Sequence, residues 1–204
     1  MKNQNSSSFK KQNGNEILIG VGIGVGVGIL AFFLTKPKPQ PTKTQPTKTQ
    51  PTKINPMTVK QFVETTRNAA IQTSEKYGLN VYVTLAQSAL ETGWGKSAPN
   101  NMYFGMKAGP SWKGEKQFLW TKEFIGGSYI STQRWFRAYA RPEDSFDDYG
   151  RLLSSKNWFK NAINYKNDTE RYIAEIQKGG YATDPNYVSK ILKVVELIKK
   201  TNLV

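Results

Sequence analysis

The chain has 204 residues, a formal charge of +14 from 29 Lys and Arg against 15 Asp and Glu, 12% aromatic residues, and neither cysteine nor histidine. The missing cysteines exclude disulfides and thiolate metal sites, and the missing histidines exclude His-dependent triads and the commonest zinc ligand. Acid–base chemistry near neutral pH is left to carboxylates, Lys or Tyr. The positive charge divides evenly, +7 before and +7 after position 57. Such a surface suits anionic wall polymer or lipid, or is simply a solvated Lys-rich exterior. With no zinc-finger, RNA-recognition or helix-turn-helix signature, a nucleic-acid partner is not expected.

Residues 1–16 are polar and basic and read as disordered. Residues 17–35 run 19 positions without a charge, near the length that spans a bilayer as a helix. Gly20, Gly24 and Gly28 share one face of that helix, the pattern of helix–helix self-association. No small-x-small cleavage site follows, so the stretch reads as an uncleaved anchor rather than a signal peptide. Orientation conflicts with this reading. Lys2, Lys10 and Lys11 precede the span, whereas Lys36, Lys38, Lys43, Lys48 and Lys53 follow it, and the positive-inside rule would keep the C-terminal part in the cytoplasm. The rule is a bias that long segments override, and the part after the span is expected outside the cytoplasm.

Residues 36–56 repeat Pro-Thr-Lys-Thr-Gln and form a linker. As an extended chain at about 3.1 Å per residue it reaches roughly 65 Å. A folded domain then occupies residues 57–204. Thr58 and Gln61 make a capping-box pattern, and Val59, Phe62, Val63, Ala70 and Tyr77 mark a helix ending before Gly78. A second helix over 81–92 carries Val81, Leu85, Ala89 and Leu90 and stops at Gly93-Trp94-Gly95. Alternation predicts a hairpin between 113 and 139, turning at Gly126-Gly127. Helix returns at Pro142 with Glu143 and Asp144 as helix-start acids and Phe146, Tyr149, Leu152 and Leu153 as its buried stripe. Two more helices are predicted, over 169–178 and from Asp184-Pro185 onward. The pattern predicts an α+β domain.

Glu91 ends the second helix, where the dipole is negative and an anion is disfavoured. A partly buried carboxyl beside Trp94 there would be pushed upward, as suits a general acid. An ordinary Glu near a helix end fits the residues as well. The stretch Ala86-Gln87-Ser88-Ala89-Leu90-Glu91-Thr92-Gly93-Trp94-Gly95-Lys96-Ser97, with Asn100 to Ala108 and Gly180-Tyr181-Ala182-Thr183-Asp184-Pro185-Asn186-Tyr187, resembles the signature of glycoside hydrolase family 73 over about residues 57 to 200. Members are β-N-acetylglucosaminidases that cut peptidoglycan. The resemblance implies a lysozyme-like arrangement, mostly helical with a small β-hairpin lobe and a cleft between. It also implies peptidoglycan glycan strands as partner, and an endo-β-N-acetylglucosaminidase working without metal or cofactor.

It further implies Glu91 as proton donor and Glu123, on the β-lobe, as second carboxylate acting as base on water or steadying positive charge. Pattern alone reads Glu123 as an exposed strand residue paired with Lys122 or Arg137. Glu115 competes for its role. Tyr181 matches the family's cleft tyrosine and would orient the N-acetyl group, or else packs beneath the last helix. Sugar faces stack on aromatic rings, which makes Trp94, Tyr103 and Phe104 candidates for substrate binding, with Asn101 as acetamide partner. Here Asn101 is followed by Met102-Tyr103 before Phe104, a departure from the family's usual spacing. Trp112 and Trp120 are weaker candidates, and Trp135 reads as core. Inverting, retaining and substrate-assisted courses all remain open. A muramidase or lytic transglycosylase on the same fold, or a catalytically silent glycan-binding protein, are the alternatives.

Overall fold

The computed structural model describes residues 58–125, 128–182 and 184–204. The stretches expected as a disordered N-terminus (1–16), a membrane anchor with a glycine face (17–35), a linker (36–56) and a turn at Gly126-Gly127 therefore lie outside the described residues. Among the described residues no helix is long and apolar enough to cross a membrane.

Among the described residues six α-helices and one hairpin follow in order: α1 (Val59–Tyr77), α2 (Val81–Thr92), β1 (Lys116–Ile125), β2 (Ser128–Arg137), α3 (Pro142–Ser155), α4 (Asn157–Ile163), α5 (Thr169–Lys178) and α6 (Tyr187–Lys199). A short 3-10 turn, Pro99–Asn101, precedes the hairpin. The α+β expectation holds.

The ends of α1 are set as its sequence predicts. Thr58 Oγ1 accepts from Gln61 N at 3.2 Å while Gln61 Oε1 accepts from Thr58 N at 2.9 Å, satisfying two of the helix's first free amides. Gly78 closes it in the left-handed conformation at φ 70°. α3 crosses α1 at Gly150, where an added Cβ would lie 2.3 Å from Tyr77 Cδ2 and 2.6 Å from Thr73 Cγ2. The absence of a side chain there lets the two helices touch. α4 escapes a periodicity reading because its seven residues offer only two buried positions, Phe159 and Ala162. α6 begins at Tyr187 rather than at Pro185, because Asp184 first makes a turn of its own. Its Oδ1 accepts from Asn186 N at 2.9 Å and its Oδ2 from Lys190 Nζ at 2.7 Å.

The main core lies inside the helices, with Phe62, Val83, Leu85, Phe146, Tyr149, Ile173, Ile191 and Val195 among its buried members. β1 and β2 pair antiparallel in the register Phe118↔Trp135 to Ile125↔Ser128, leaving two residues for the turn. Leu119, Phe136 and Met102 form a separate small cluster at the base of the hairpin. Trp135, read from sequence as core, stands 45% exposed instead, because alternation sends it to the outer face with Phe118 and Trp120.

The hairpin is bound to the helices through polar contacts. Asp148 on α3 is buried and receives Arg137 Nη1 and Tyr139 OH, each at 2.7 Å, and also Arg151. Arg137 N donates to Met106 O and Ala108 N to Trp135 O, both at 2.8 Å, so the 106–108 segment runs along β2.

Candidate active site

α2 is capped by Asn80, whose side chain accepts from Val83 N at 3.0 Å. It ends at Gly93, and three successive residues, Gly93, Trp94 and Gly95, hold positive φ values of 58°, 60° and 75°. Glycine adopts this region freely, whereas Trp94 does so at a cost of about 1–2 kcal/mol. Local bonds hold the turn: Trp94 N donates to Ala89 O at 2.8 Å, and Gly95 N to Thr92 Oγ1 at 2.9 Å. The turn sets the Trp94 ring edge-on against Phe62, 5.7 Å between centroids.

Glu91 is placed in the last turn of α2. The residue is half-buried, and its Oε1 is buried without a hydrogen-bond partner. Burial pushes its carboxyl up to about 8, so the protonated form dominates at neutral pH. The loop after the 3-10 turn runs close by. Gly105, at φ 54°, has its Cβ position only 3.7 Å from Glu91 Oε2.

Beneath the acid lies a layer of buried tyrosines. Tyr181 is fully buried, its hydroxyl also lacks a partner, and it is close enough to feel the charge of Glu91. Burial, then the neighbouring Tyr187 and Glu91, raise its phenol well above the ordinary value. Tyr187 senses Glu91 too. Gln87, four residues before Glu91 on α2, ties the layer together: its Nε2 donates to Tyr187 OH at 2.6 Å and its Oε1 accepts from Tyr149 OH. This network was not anticipated from sequence. The available signal was a polar Gln inside the apolar run of α2.

The structure thus brings Glu91, Trp94 and Tyr181 to one end of α2. Position 123 on β1 pairs with Ile130, four residues along the strand from Leu119. Glu115 is exposed just before β1, and its carbonyl accepts from Trp112 Nε1 at 2.9 Å. Asn101 sits at φ 55° and donates from Nδ2 to Tyr139 O at 3.0 Å, joining the 3-10 turn to the end of the hairpin. Asn tolerates that backbone region better than most residues.

Phe104 and Tyr103 occupy the core. Phe104 is 1% exposed and stacks on Tyr149 at 4.0 Å and 12°, with Phe146 edge-on at 4.9 Å. Tyr103 packs between Phe62 and Phe146. Neither ring presents a free face to a sugar, so their proximity to the signature reflects packing. Two recesses of about 490 and 560 Å³ open elsewhere, the first between α1 and α3 beside Trp112 and Asp147, the second beside Asn80 and Lys166. Neither is lined by Glu91, Trp94 or Tyr181. Among the described residues no three Asp or Glu side chains gather as a metal-ligand set.

The described residues, six α-helices and a two-stranded hairpin with an unpartnered carboxyl oxygen at the end of a core helix, share the lysozyme-like glycoside hydrolase fold of the solved structures they match. The family model described as "Glucosaminidase: Mannosyl-glycoprotein endo-beta-N-acetylglucosaminidase" matches residues 67–200, and the chain belongs to this family, glycoside hydrolase family 73. It is 35% identical over 146 residues to the peptidoglycan hydrolase FlgJ of Vibrio parahaemolyticus, covering 69% of this chain and 47% of that protein. The chain spans about half or less of the length of the FlgJ proteins it matches. Among solved structures it resembles a peptidoglycan hydrolase mutant from Sphingomonas sp. A1, with TM-score 0.66 and 31% identity, covering 71% of this chain and 98% of that one. The C-terminally truncated glycoside hydrolase domain of Salmonella typhimurium FlgJ is similar as well, with TM-score 0.58 and 31% identity, covering 70% and 99%.

Proposed function

We propose that this chain hydrolyses peptidoglycan at the β-1,4 bond between N-acetylglucosamine and N-acetylmuramic acid. The observation that carries the proposal is Glu91, a half-buried residue whose Oε1 is buried without a hydrogen-bond partner and whose carboxyl burial raises to about 8. Breaking a glycosidic bond needs a proton for the leaving oxygen, and an acid that keeps its proton near pH 7 supplies it. Glu91 donates to the glycosidic oxygen as the bond to the anomeric carbon lengthens. Glu123 would reach from β1 to activate water or to steady the oxocarbenium-like charge. Tyr181, fully buried with an unpartnered hydroxyl near Glu91, would steady charge at the acid rather than touch the N-acetyl group. The support for these roles is chemical fit together with family membership. We further assign residues 17–35 as the membrane tether and 36–56 as the spacer, with the enzyme on the wall side. The uncharged run and the proline repeat support that assignment.

The test is digestion of purified peptidoglycan by the full chain, with Glu91→Gln alongside and products read by mass spectrometry. New reducing-end N-acetylglucosamine, lost in the variant, is the expected result. Muramic or anhydromuramic ends would transfer the assignment to a muramidase or a lytic transglycosylase. Binding without cleavage by the native chain would leave a glycan-binding protein.

A further inference from the structure

Three exposed aromatic side chains, Phe118, Trp120 and Trp135, lie on the outer face of the hairpin, 46%, 55% and 45% exposed. Scattered exposed rings are ordinary, but these adjoin. Phe118 and Trp135 are direct cross-strand partners with ring centroids 4.9 Å apart, and Trp120 follows two residues along β1, about 7 Å further by strand geometry. Lys116 Nζ stands 4.8 Å above the Trp135 ring. Gln133, paired with Trp120, and Ser131, paired with Lys122, add an amide and a hydroxyl to the face, and none of the residues named on it is acidic.

The opposite face of the same strands is used differently: Leu119 and Phe136 bury themselves against Met102. The outer rings are therefore not needed to hold the hairpin in place. An aromatic ledge interrupted by hydrogen-bonding groups suits pyranose rings, whose apolar faces stack while their hydroxyl and acetamido groups bond sideways. Its charge complements a polymer carrying carboxylates, as the lactyl groups and stem peptides of wall glycan do. A lipid surface fits less well. Membrane-binding basic patches gather about four to eight cations, whereas the register gives this face Lys116 and Lys122, with Arg137 buried on Asp148.

We propose that this outer face is a second glycan-binding site, separate from the cleft, which holds a stretch of anionic wall polysaccharide while the cleft works on another. The inference rests on the reading of the chain as a peptidoglycan hydrolase. Its role is to keep the enzyme on an insoluble substrate between cuts.

The test compares the full chain with a Trp120→Ala, Trp135→Ala double variant, and with Trp120→Phe, Trp135→Phe as the conservative pair. Cosedimentation with purified sacculi, in a Glu91→Gln background so that nothing is cut, should weaken about tenfold in the alanine variant and be largely kept by the phenylalanine pair. With Glu91 intact, the initial rate should fall on sacculi and stay unchanged on a short soluble glycan fragment. Equal affinity of native and alanine chains for sacculi overturns the proposal, as does an equal loss of rate on the short fragment. Loss of binding to phosphatidylglycerol vesicles with sacculus binding intact would name a lipid surface instead. A native dimer made monomeric by the variant would name a second copy. If the native chain cuts no peptidoglycan yet the alanine variant still loses sacculi, the hydrolase reading fails while the binding site stands.

Discussion

Glu91→Gln tests the acid by a route independent of turnover. The carboxyl titrates near 4.5 when exposed and at about 8 when folded. A folded pKa raised above the unfolded one means stability that is complete below the unfolded value and is lost as pH rises through the folded one. The window therefore runs from about 4.5 to about 8. At about 1.4 kcal/mol per unit, the native chain should lose roughly 3 kcal/mol by pH 7 and about 5 kcal/mol by pH 9 through this group. Glutamine fills nearly the same volume and cannot ionise, so the variant escapes the loss. Urea unfolding of both chains at about pH 5, 7 and 9 reads the difference; with a slope of about 2 kcal/mol per molar, the pH 7 gap corresponds to roughly 1.5 M in midpoint. Every other titrating group cancels in the comparison. If the two stability curves run parallel across that range, Glu91 is an ordinary solvated carboxylate and the argument for a protonated acid collapses.

The same shift predicts an alkaline limb in activity. The protonated form is the working one, so kcat/KM should decline about tenfold per pH unit above about 8, and a flat profile to pH 10 would exclude Glu91 as the titrating acid. Tyr181→Phe removes a buried hydroxyl that has no partner, and should raise stability by about 1 kcal/mol in thermal unfolding while lowering the rate of peptidoglycan release. A variant that is less stable than the native chain would reveal a bond to that hydroxyl. Asp148→Ala strands the buried Arg137 guanidinium and should cost about 3–5 kcal/mol in denaturant unfolding; a loss under 1 kcal/mol would show that the 106–108 segment alone fastens the hairpin.

Most of the helical body was legible because its signals are local. The Thr58–Gln61 box, the glycine stops at 78 and 93, and the buried stripe of α3 each depend on neighbours within a turn or two. The placement of Glu91 in the last turn of its helix was legible for the same reason. What escaped depends on partners far along the chain. Nothing near Trp135 says which strand face turns outward; that is decided by Met102 meeting Leu119 and Phe136. Tyr103 and Phe104 sit within the signature, yet their rings are claimed by Phe62, Phe146 and Tyr149. The Gln87 network unites residues 62 and 100 positions apart.

That last separation has a consequence for how the protein comes into being. α2 packs closely against α6, and Tyr187, which opens α6, lies near enough to sense the charge of the acid. A ribosome adding about 5–20 residues per second delivers Tyr187 roughly five to twenty seconds after Glu91. Through that interval the nascent chain carries a hydrated glutamate that loses its proton near 4.5, as any free one would. The surroundings of the acid are complete only once Tyr187 has docked, so a chain interrupted between α5 and α6 contains the whole Glu91 signature without the residue that α6 sets beside it.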